Sequence, residues 1–361
     1  MIARNMKSIL ENPANGVIRK MFEEGALLKK KYGEDNVYDF SIGNPDLDPP
    51  SEVVEAIEEI AADTSPMCHG YMPNPGYMQA RQAMAEKTSL EQGTAVPADC
   101  VIMSVGAAGA MNCVFKALLN VGDEVIVPAP YFAEYGHYCA NHGGTLRPVP
   151  TKNDFSLDTD AIKAALTEKT GRYPYIVCDE PYRAITYGGK KVAPVFPEYR
   201  QAVVVTSFAK NLSVPGERIG YIAVNPASDD ASEMVAACIL ATRILGFVNA
   251  PAFFQKVIAR SWNARCDYSL YEKRCREIME IMDYAGLQYA KPEGAFYLFV
   301  KVPEGWNGDD MAFTEHLKKF NILCAPGTGF GGKGWFRISY CVAEKTILNS
   351  KEAFYKAIHS K

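Results

Sequence analysis

The sequence predicts an α/β fold in which helices cover both faces of a mostly parallel sheet. Five short segments in the middle of the chain are apolar throughout, as strands buried on both faces usually are. They are residues 101–103, 125–127, 175–178, 203–205 and 221–224. Helical patterns lie between them, at residues 109–119, 132–141 and 158–166. Strands that alternate with helices in this way are typical of an open, mostly parallel sheet flanked by helices.

The two ends of the chain predict a second, smaller α+β unit. An amphipathic helix is expected at residues 16–31, and a C-terminal helix is expected to end at Gly286, a residue type common at helix ends. After it come a strand at 296–302, a helix at 309–320, a strand at 336–340 and a last helix from 344. We therefore predict a large domain at residues 45–270 and a small domain built from residues 1–44 and 271–361.

Composition excludes several classes of protein. The 361 residues carry a formal net charge of −4, whereas nucleic-acid-binding proteins usually show a basic stripe. No apolar stretch approaches the roughly 18 residues that span a membrane, and no signal peptide is recognisable, so we expect a cytoplasmic protein. The ten cysteines include no Cys-x-x-Cys pair, which favours reduced thiols. The five histidines have no metal-binding spacing, and no metal site is predicted.

The segment that best indicates chemistry runs from Ser207 to Gly220, directly after an apolar strand. Open α/β sheets bind ligands at the carboxyl ends of their strands. The amine of Lys210 can form an imine with a phosphorylated aldehyde, while Ser207 and Arg218 hold its phosphate. The alternative is a surface lysine beside an unrelated arginine.

Two further segments fit the same ligand. Asp179 and Tyr182 follow another apolar strand, and a carboxylate there can keep a pyridine nitrogen protonated while the phenol donates to the ring oxygen. Gly106, Ala107 and Ala108 lie between a strand and a helix, where small residues let a phosphate approach the helix N-terminus. Either feature alone has an ordinary alternative, a helix cap for Asp179 and close packing for the small residues.

Taken together, these motifs resemble the class I and II aminotransferases, which are fold type I enzymes dependent on pyridoxal 5′-phosphate (PLP). The similarity covers nearly the whole chain in the expected order. It implies that Lys210 carries PLP as a Schiff base and that Tyr131 stacks on the pyridine ring. It also implies that Arg337 binds the substrate α-carboxylate with the Gly43 backbone nearby. Tyr71 resembles a tyrosine that reaches the phosphate of the neighbouring subunit, which predicts a homodimer with shared active sites.

The implied activity is transfer of the amino group of an L-amino acid to a 2-oxo acid. It follows a ping-pong mechanism through pyridoxamine phosphate, with aspartate-like or broad specificity. Two alternatives stay open at this point. One is a PLP-dependent carbon–sulfur β-lyase, because the cofactor motifs do not separate it from a transaminase. The other is a non-catalytic PLP-binding regulator, which usually carries a fused DNA-binding module that we do not recognise here.

The sequence departs from the family pattern at one place. A strand with an Asn-Pro-Thr-Gly-like motif, followed by a helix, is expected before Asp179, but Thr170 runs directly into Gly171. About thirty residues are missing, enough for a strand and its crossover helix. Our hypothesis is that the intact protein contains this segment and the sequence omits it. The alternative is a real deletion, which would remove a central strand and with it activity. Intact mass decides between them, since the 361 residues account for 39.7 kDa.

Overall fold

Helices and strands follow one another along the chain in nearly the order that the sequence predicts. The structure is a computed structural model that describes residues 2–11, 17–171 and 174–360. Its helices are α1 Arg4–Glu11, α2 Val17–Tyr32, α3 Ser51–Ala61, α4 Met78–Gln92, α5 Gly106–Leu118, α6 Tyr135–Ala140, α7 Thr159–Ala165, α8 Ala231–Ile244, α9 Ala252–Ser261, α10 Ser269–Ala285, α11 Asp310–Lys318, α12 Glu344–Asn349 and α13 Lys351–His359. Its strands are β1 Tyr38–Asp39, β2 Val101–Val105, β3 Glu124–Ala129, β4 Thr145–Pro150, β5 Ile176–Asp179, β6 Ala202–Ser207, β7 Ile219–Val224, β8 Tyr289–Ala290, β9 Tyr297–Lys301, β10 Ile322–Leu323, β11 Ala325–Pro326 and β12 Trp335–Ser339.

The central sheet has the strand order β2-β7-β6-β5. β5 and β6 are parallel, while β7 runs antiparallel to both of its neighbours. Every residue of β6 and β7 is buried, because helices cover both faces of the sheet. On one face lie α3, α4 and α9, and on the other lie α5 and α8. The predicted α/β class is confirmed.

Alternate side chains of the central strands enter two different cores. Val204 and Tyr221 pack on the face of α4 and α9, whereas Val205 and Ile222 pack on the face of α5 and α8. Side chains of a strand point alternately to opposite faces of the sheet. A strand covered on both faces must therefore be apolar at every position, which explains the uninterrupted apolar runs in the sequence.

β3 and β4 form a separate parallel pair that faces β5 across a gap in the sheet. The strands on the two sides of the gap pack on a common core, since Val125 of β3 and Val177 of β5 contact the same small core beneath them. No described strand pairs with the free edge of β3 or of β5. Neither strand contains a buried residue, in contrast to β6 and β7. The two edges are therefore placed to accept one further strand between them, and we call this gap the β3–β5 slot.

The C-terminal part of the chain forms a second layered unit. Its antiparallel sheet has the order β11-β12-β9-β8, and α10 and α13 pack against it around a core that includes Phe296, Phe336 and Phe354. β1 pairs with β10 in parallel, which attaches the N-terminal segment to this unit. Ile185 and Tyr187 also enter the same core, although we predicted residues 45–270 as the large domain. The domain boundaries stay a prediction.

None of the helices in the described ranges combines the length and the apolar character that crossing a membrane requires.

Candidate active site

Lys210 lies in the loop that follows β6 and points toward the N-terminal segment. Its Nζ atom donates to the carbonyl oxygen of Gly43 at 2.8 Å and lies 5.6 Å from the centroid of the Phe296 ring. Burial lowers the pKa of Lys210, and the guanidinium groups of Arg337 and Arg218 lower that pKa further. A lowered pKa increases the share of neutral amine, the form that attacks a carbonyl carbon.

Asp179 is the last residue of β5. One of its carboxylate oxygens has a hydrogen-bond partner, and the other has none among the described residues. Oδ2 accepts a hydrogen bond from the Tyr135 hydroxyl at 2.6 Å, whereas Oδ1 is buried and has no partner among the described residues. Burial raises the pKa of Asp179 to about 6, although the Tyr135 hydrogen bond opposes this rise. A buried, unpaired carboxylate oxygen fits a ligand that brings a cationic N–H, as a protonated pyridine does.

The N-terminus of α5 meets Arg218 and Ser207 at one point. Gly106 begins the helix with φ at +65°, and a Cβ there would lie 2.7 Å from the Nη2 atom of Arg218. Ser207 pairs with Gly220 across β6 and β7, and a Cβ on Gly220 would lie 3.0 Å from the carbonyl carbon of Gly106. Unpaired N–H groups at a helix start, a hydroxyl and a guanidinium are together suited to a phosphate group. Ala107 and Ala108 complete the first turn of this helix.

Arg337 on β12 is partly buried, and no described carboxylate is paired with it. Its Nη2 donates to the carbonyl oxygen of Ser41 at 2.8 Å, while its Nε–H is buried without a partner. The guanidinium lies between two aromatic rings, with Cζ 4.5 Å from the centroid of Tyr297 and 4.4 Å from that of Phe330. Burial lowers the pKa of Arg337. No carboxylate of the described ranges forms an ion pair with it, so the site is suited to a carboxylate supplied by a ligand.

Tyr182 lies between Asp179 and the arginine. Its hydroxyl oxygen is 3.0 Å from that of Tyr297, and its ring meets Phe296 edge-on with 5.3 Å between centroids. Burial raises the pKa of Tyr182 far above its ordinary value, so the phenol stays protonated near neutral pH. Tyr182 therefore carries a proton that it can donate, and donation to a ligand stays a prediction.

Lys210, Gly43, Tyr182 and Arg337 are thus linked to one another directly or through Tyr297, and Asp179 lines a cavity together with Tyr182. Ser207, Arg218 and Gly106 lie together at the N-terminus of α5, and their binding of a phosphate stays a prediction. Tyr71 is an exception, since 91% of its surface is exposed and it forms no hydrogen bond or ring contact with a described residue.

The contacts of Tyr131 lie toward Arg337 rather than Asp179. Its backbone N–H donates to the carbonyl of Phe330 at 2.9 Å, and a Cβ on Gly331 would lie 2.7 Å from its ring. The neighbouring Phe132 instead meets Tyr135, the partner of Asp179, edge-on at 5.5 Å between centroids. Phe132 is therefore a second candidate for the ring that stacks on the pyridine, and stacking by Tyr131 stays a prediction.

Three aromatic residues of the site, Phe132, Tyr135 and Tyr297, were missed by motif analysis. Phe132 and Tyr135 follow β3, so their position after an apolar strand was an available signal. Tyr297 begins β9 in the C-terminal sheet, and no local pattern connects it to Tyr182, 115 residues away. Within the described ranges, no group of three metal-ligating side chains occurs.

The sequence profile of the family "Aminotransferase class I and II" matches residues 35–174 and 172–354, which is most of the chain. The chain belongs to this family. Members depend on PLP, and the chain is a PLP-dependent transaminase. The residues present fit PLP. The unpaired Oδ1 of Asp179 suits its protonated pyridine nitrogen, and Gly106 beside Arg218 suits its phosphate.

Individual relatives agree along the whole length of the chain. The aspartate aminotransferase of Pyrococcus abyssi is 28% identical over 390 aligned positions, which cover 98% of this chain and 97% of that protein. An aminotransferase crystal structure from Eubacterium rectale is 35% identical with a TM-score of 0.93 and covers 99% and 98% of the two chains. The aspartate aminotransferase of Thermus thermophilus with maleate has the same fold, at 23% identity and a TM-score of 0.85, with 99% of each chain covered.

The comparisons also mark the place where the family pattern is interrupted. The family profile matches in two pieces that meet at residues 172–174. The Pyrococcus alignment has 390 positions against 361 residues here, so at least 29 of its positions have no residue in this chain. The interruption lies directly before β5, which borders the β3–β5 slot. The two pieces of the profile match therefore meet beside the β3–β5 slot, and the missing strand stays a hypothesis.

Proposed function

We propose that this transaminase acts on aspartate-like amino acids or on a broad range of L-amino acids, with a 2-oxo acid as acceptor. The similarity to the Pyrococcus abyssi aspartate aminotransferase over nearly the whole chain supports this choice. The observation that carries the proposal is the guanidinium of Arg337, whose buried Nε–H has no partner among the described residues and which adjoins the Lys210 site. A carboxylate bound there brings the α-carbon of an amino acid near the lysine amine.

The chain's own residues divide the work of the reaction. Arg337 binds the α-carboxylate through two N–H groups and so fixes the orientation of the substrate. Asp179, through its unpaired Oδ1, would hold the protonated pyridine nitrogen of PLP, and Arg218 with the Gly106 turn would hold its phosphate. Lys210 Nζ takes a proton from the substrate α-carbon and returns one as general base and acid. PLP, when bound, supplies the carbonyl that takes up the amine and a ring that withdraws electrons.

The test is the visible absorption spectrum of the purified protein with PLP, to which single amino acids are added without an acceptor. We expect a band that bleaches with an accepted amino acid and returns when a 2-oxo acid is added. Aspartate should rank among the best substrates if the proposed specificity is right. A band that persists while pyruvate accumulates from a cysteine conjugate would instead identify a β-lyase.

Two matched arginine variants separate the substrate site from the cofactor site. Arg337→Lys is expected to keep the visible band but to lower kcat/KM roughly 10- to 100-fold, because lysine cannot bind a carboxylate through two parallel N–H groups. Arg218→Lys should instead weaken PLP binding. If Arg337→Lys lowers PLP affinity and leaves amino-acid dependence unchanged, the assignment of Arg337 to the carboxylate is wrong.

We also propose that the protein is a homodimer in which Tyr71 reaches the phosphate site of the partner subunit. The exposure of Tyr71 supports this, as does that of the nearby Met67, at 91% and 78%. Large apolar side chains exposed next to one another are common at interfaces between subunits.

A cytoplasmic location is proposed from the cysteines. All ten are free thiols, and seven of them are buried. Free thiols in this number are typical of proteins kept in a reducing compartment.

A further inference from the structure

Tyr297 occupies the point where the cofactor-binding and carboxylate-binding parts of the site meet. Its hydroxyl oxygen lies 3.0 Å from that of Tyr182, and its ring face lies 4.5 Å from the guanidinium carbon of Arg337. Its hydroxyl also touches Gly43, since a Cβ there would lie only 1.8 Å from it. Gly43 in turn accepts the hydrogen bond of Lys210. The Tyr297 side chain therefore contacts Tyr182, Arg337 and Gly43, and Gly43 is the hydrogen-bond partner of Lys210.

The hydroxyl groups of Tyr182 and Tyr297 carry one proton each, and either proton can be donated. Burial raises the pKa of Tyr182 and of Tyr297, so both hydroxyls are protonated near neutral pH. One of the two protons lies between the oxygens. When Tyr297 donates it, the proton of Tyr182 stays free for a ligand. When Tyr182 donates it, no hydroxyl proton of Tyr182 is left for a ligand, so a ligand acceptor beside Tyr182 favours the first arrangement.

We propose that Tyr297 is a positioning residue for transamination, whose hydroxyl donates to Tyr182 and directs the Tyr182 proton to the ring oxygen of PLP. Donors in a chain of hydrogen bonds polarise one another, so Tyr182 becomes a stronger donor than it is alone. The ring of Tyr297 at the same time supports the guanidinium of Arg337 from one side, opposite Phe330. The inference rests on PLP binding beside Tyr182, as the proposed function requires.

The proposal predicts a shift in the pH dependence of the cofactor spectrum. A hydrogen-bond donor to the ring oxygen of PLP stabilises the negative charge of that oxygen. The donor therefore lowers the pKa of the proton that the ring oxygen shares with the nitrogen linking Lys210 to PLP. Loss of the donor raises the pKa of that proton. We expect Tyr297→Phe to raise the pKa of the visible spectral change by about half a pH unit, and Tyr182→Phe to raise it by more. The double variant should match Tyr182→Phe alone, because Tyr297 acts through Tyr182.

Binding of maleate to the PLP-loaded protein measures the second contact. Tyr297→Phe keeps the ring and should leave the maleate dissociation constant unchanged, whereas Tyr297→Leu should raise it about fivefold through loss of the ring–guanidinium contact. Tyr340→Phe is the matched control, because it removes a hydroxyl from another buried tyrosine pair, 3.2 Å apart, that does not contact Tyr182, Lys210 or Arg337. It should change neither reading.

The outcomes separate this inference from the proposed function. If Tyr182→Phe shifts the spectral pKa and Tyr297→Phe does not, Tyr297 has no role in positioning the Tyr182 proton. If the shifts of the two single variants simply add in the double variant, Tyr297 acts independently of Tyr182 and the inference is also wrong. If Tyr182→Phe itself leaves the spectrum unchanged, PLP does not bind beside Tyr182, and the proposed arrangement of the site is overturned with it.

Discussion

At the scale of single residues, the site is defined by buried polar atoms that lack partners. Asp179 Oδ1 and Arg337 Nε are both buried and unpaired in the described part of the chain. Each buried polar group without a hydrogen bond costs roughly 1–3 kcal/mol of stability, and more where the group is charged. A ligand with a cationic ring nitrogen and a carboxylate pairs both groups at once. Asp179 Oδ1 and Arg337 Nε therefore lower the stability of the protein without PLP and also determine which ligands it can bind.

The first prediction is that Asp179→Asn stabilises the protein without PLP. The raised pKa of about 6, against 3.8 for an ordinary aspartate, means that folding favours the protonated carboxyl. The resulting penalty on the charged form is absent below about pH 4 and fully present above pH 6. By this linkage the variant should be more stable by about 3 kcal/mol at pH 8 and by about half as much at pH 5. Urea unfolding of the PLP-free proteins at both pH values measures the difference.

Asp310→Asn is the control for this experiment. Asp310 is also buried, at 1% exposure, but its two oxygens accept hydrogen bonds from the backbone and hydroxyl of Thr328 and from the backbone of Gly334. Its replacement should destabilise the protein. Asp179→Asn should in addition weaken PLP binding, since a neutral amide no longer stabilises a protonated pyridine. Equal stability of Asp179→Asn and the wild type at pH 8 would show that the buried carboxylate carries no penalty.

Sequence reasoning could identify site residues only where local pattern and chemistry coincide. Lys210, Asp179 and Arg218 each follow or adjoin an apolar strand, and the structure places each at a strand end. Tyr297 could not be found in this way, because its role depends on a partner 115 residues away, and the position of Tyr135 after β3 did not reveal its partner Asp179, 44 residues further on. The role of such a hydroxyl depends on the partner that tertiary packing places beside it, and the local sequence pattern does not indicate that partner.

At the scale of elements, the sequence predicts the positions of strands better than their surroundings. The segments at 125–127 and 175–178 are as apolar as those at 203–205 and 221–224, so all were expected to be buried on both sides. The structure buries β6 and β7 completely but leaves β3 and β5 without a buried residue. The apolar pattern of β3 and β5 therefore fits a sheet with one more strand than the described chain contains.

The second prediction concerns the β3–β5 slot. We expect that inserting, between Thr170 and Gly171, the segment of the Pyrococcus abyssi relative that aligns there will raise the melting temperature by about 5–10 °C. The inserted strand would pair with both free edges and cover apolar side chains of β3 and β5. PLP affinity should rise as well, because Asp179 at the end of β5 is then held from both sides.

The control is a Gly/Ser segment of the same length at the same position, which cannot form the strand. It should leave the melting temperature unchanged or lower it slightly, since it adds only loop entropy. If both insertions behave alike when the melting temperature is measured by circular dichroism, the slot does not accept a strand.

At the scale of the whole molecule, the proposed homodimer explains why one predicted site residue lies apart from the others. Lys210 and Arg337 are connected within one chain through Gly43 and Tyr297, while Tyr71 lies 91% exposed, with no described partner. In a symmetric dimer the same surface of each subunit meets its equivalent, so a side chain that one subunit gives is matched by one that it receives. Each active site is then complete only in the assembled dimer.

The last prediction tests this sharing with hybrid dimers of Lys210→Ala and Tyr71→Ala, coexpressed with different affinity tags. Each variant alone should be nearly inactive at limiting PLP. In a hybrid, one site carries both changes, but the other combines the intact Lys210 of one subunit with the intact Tyr71 of its partner. Purified hybrids should thus recover about half of the wild-type activity, and an unsorted mixture about one quarter. If Tyr71 instead served the site of its own subunit, every site in the hybrid would carry one change and no activity would return, whatever the strength of the dimer.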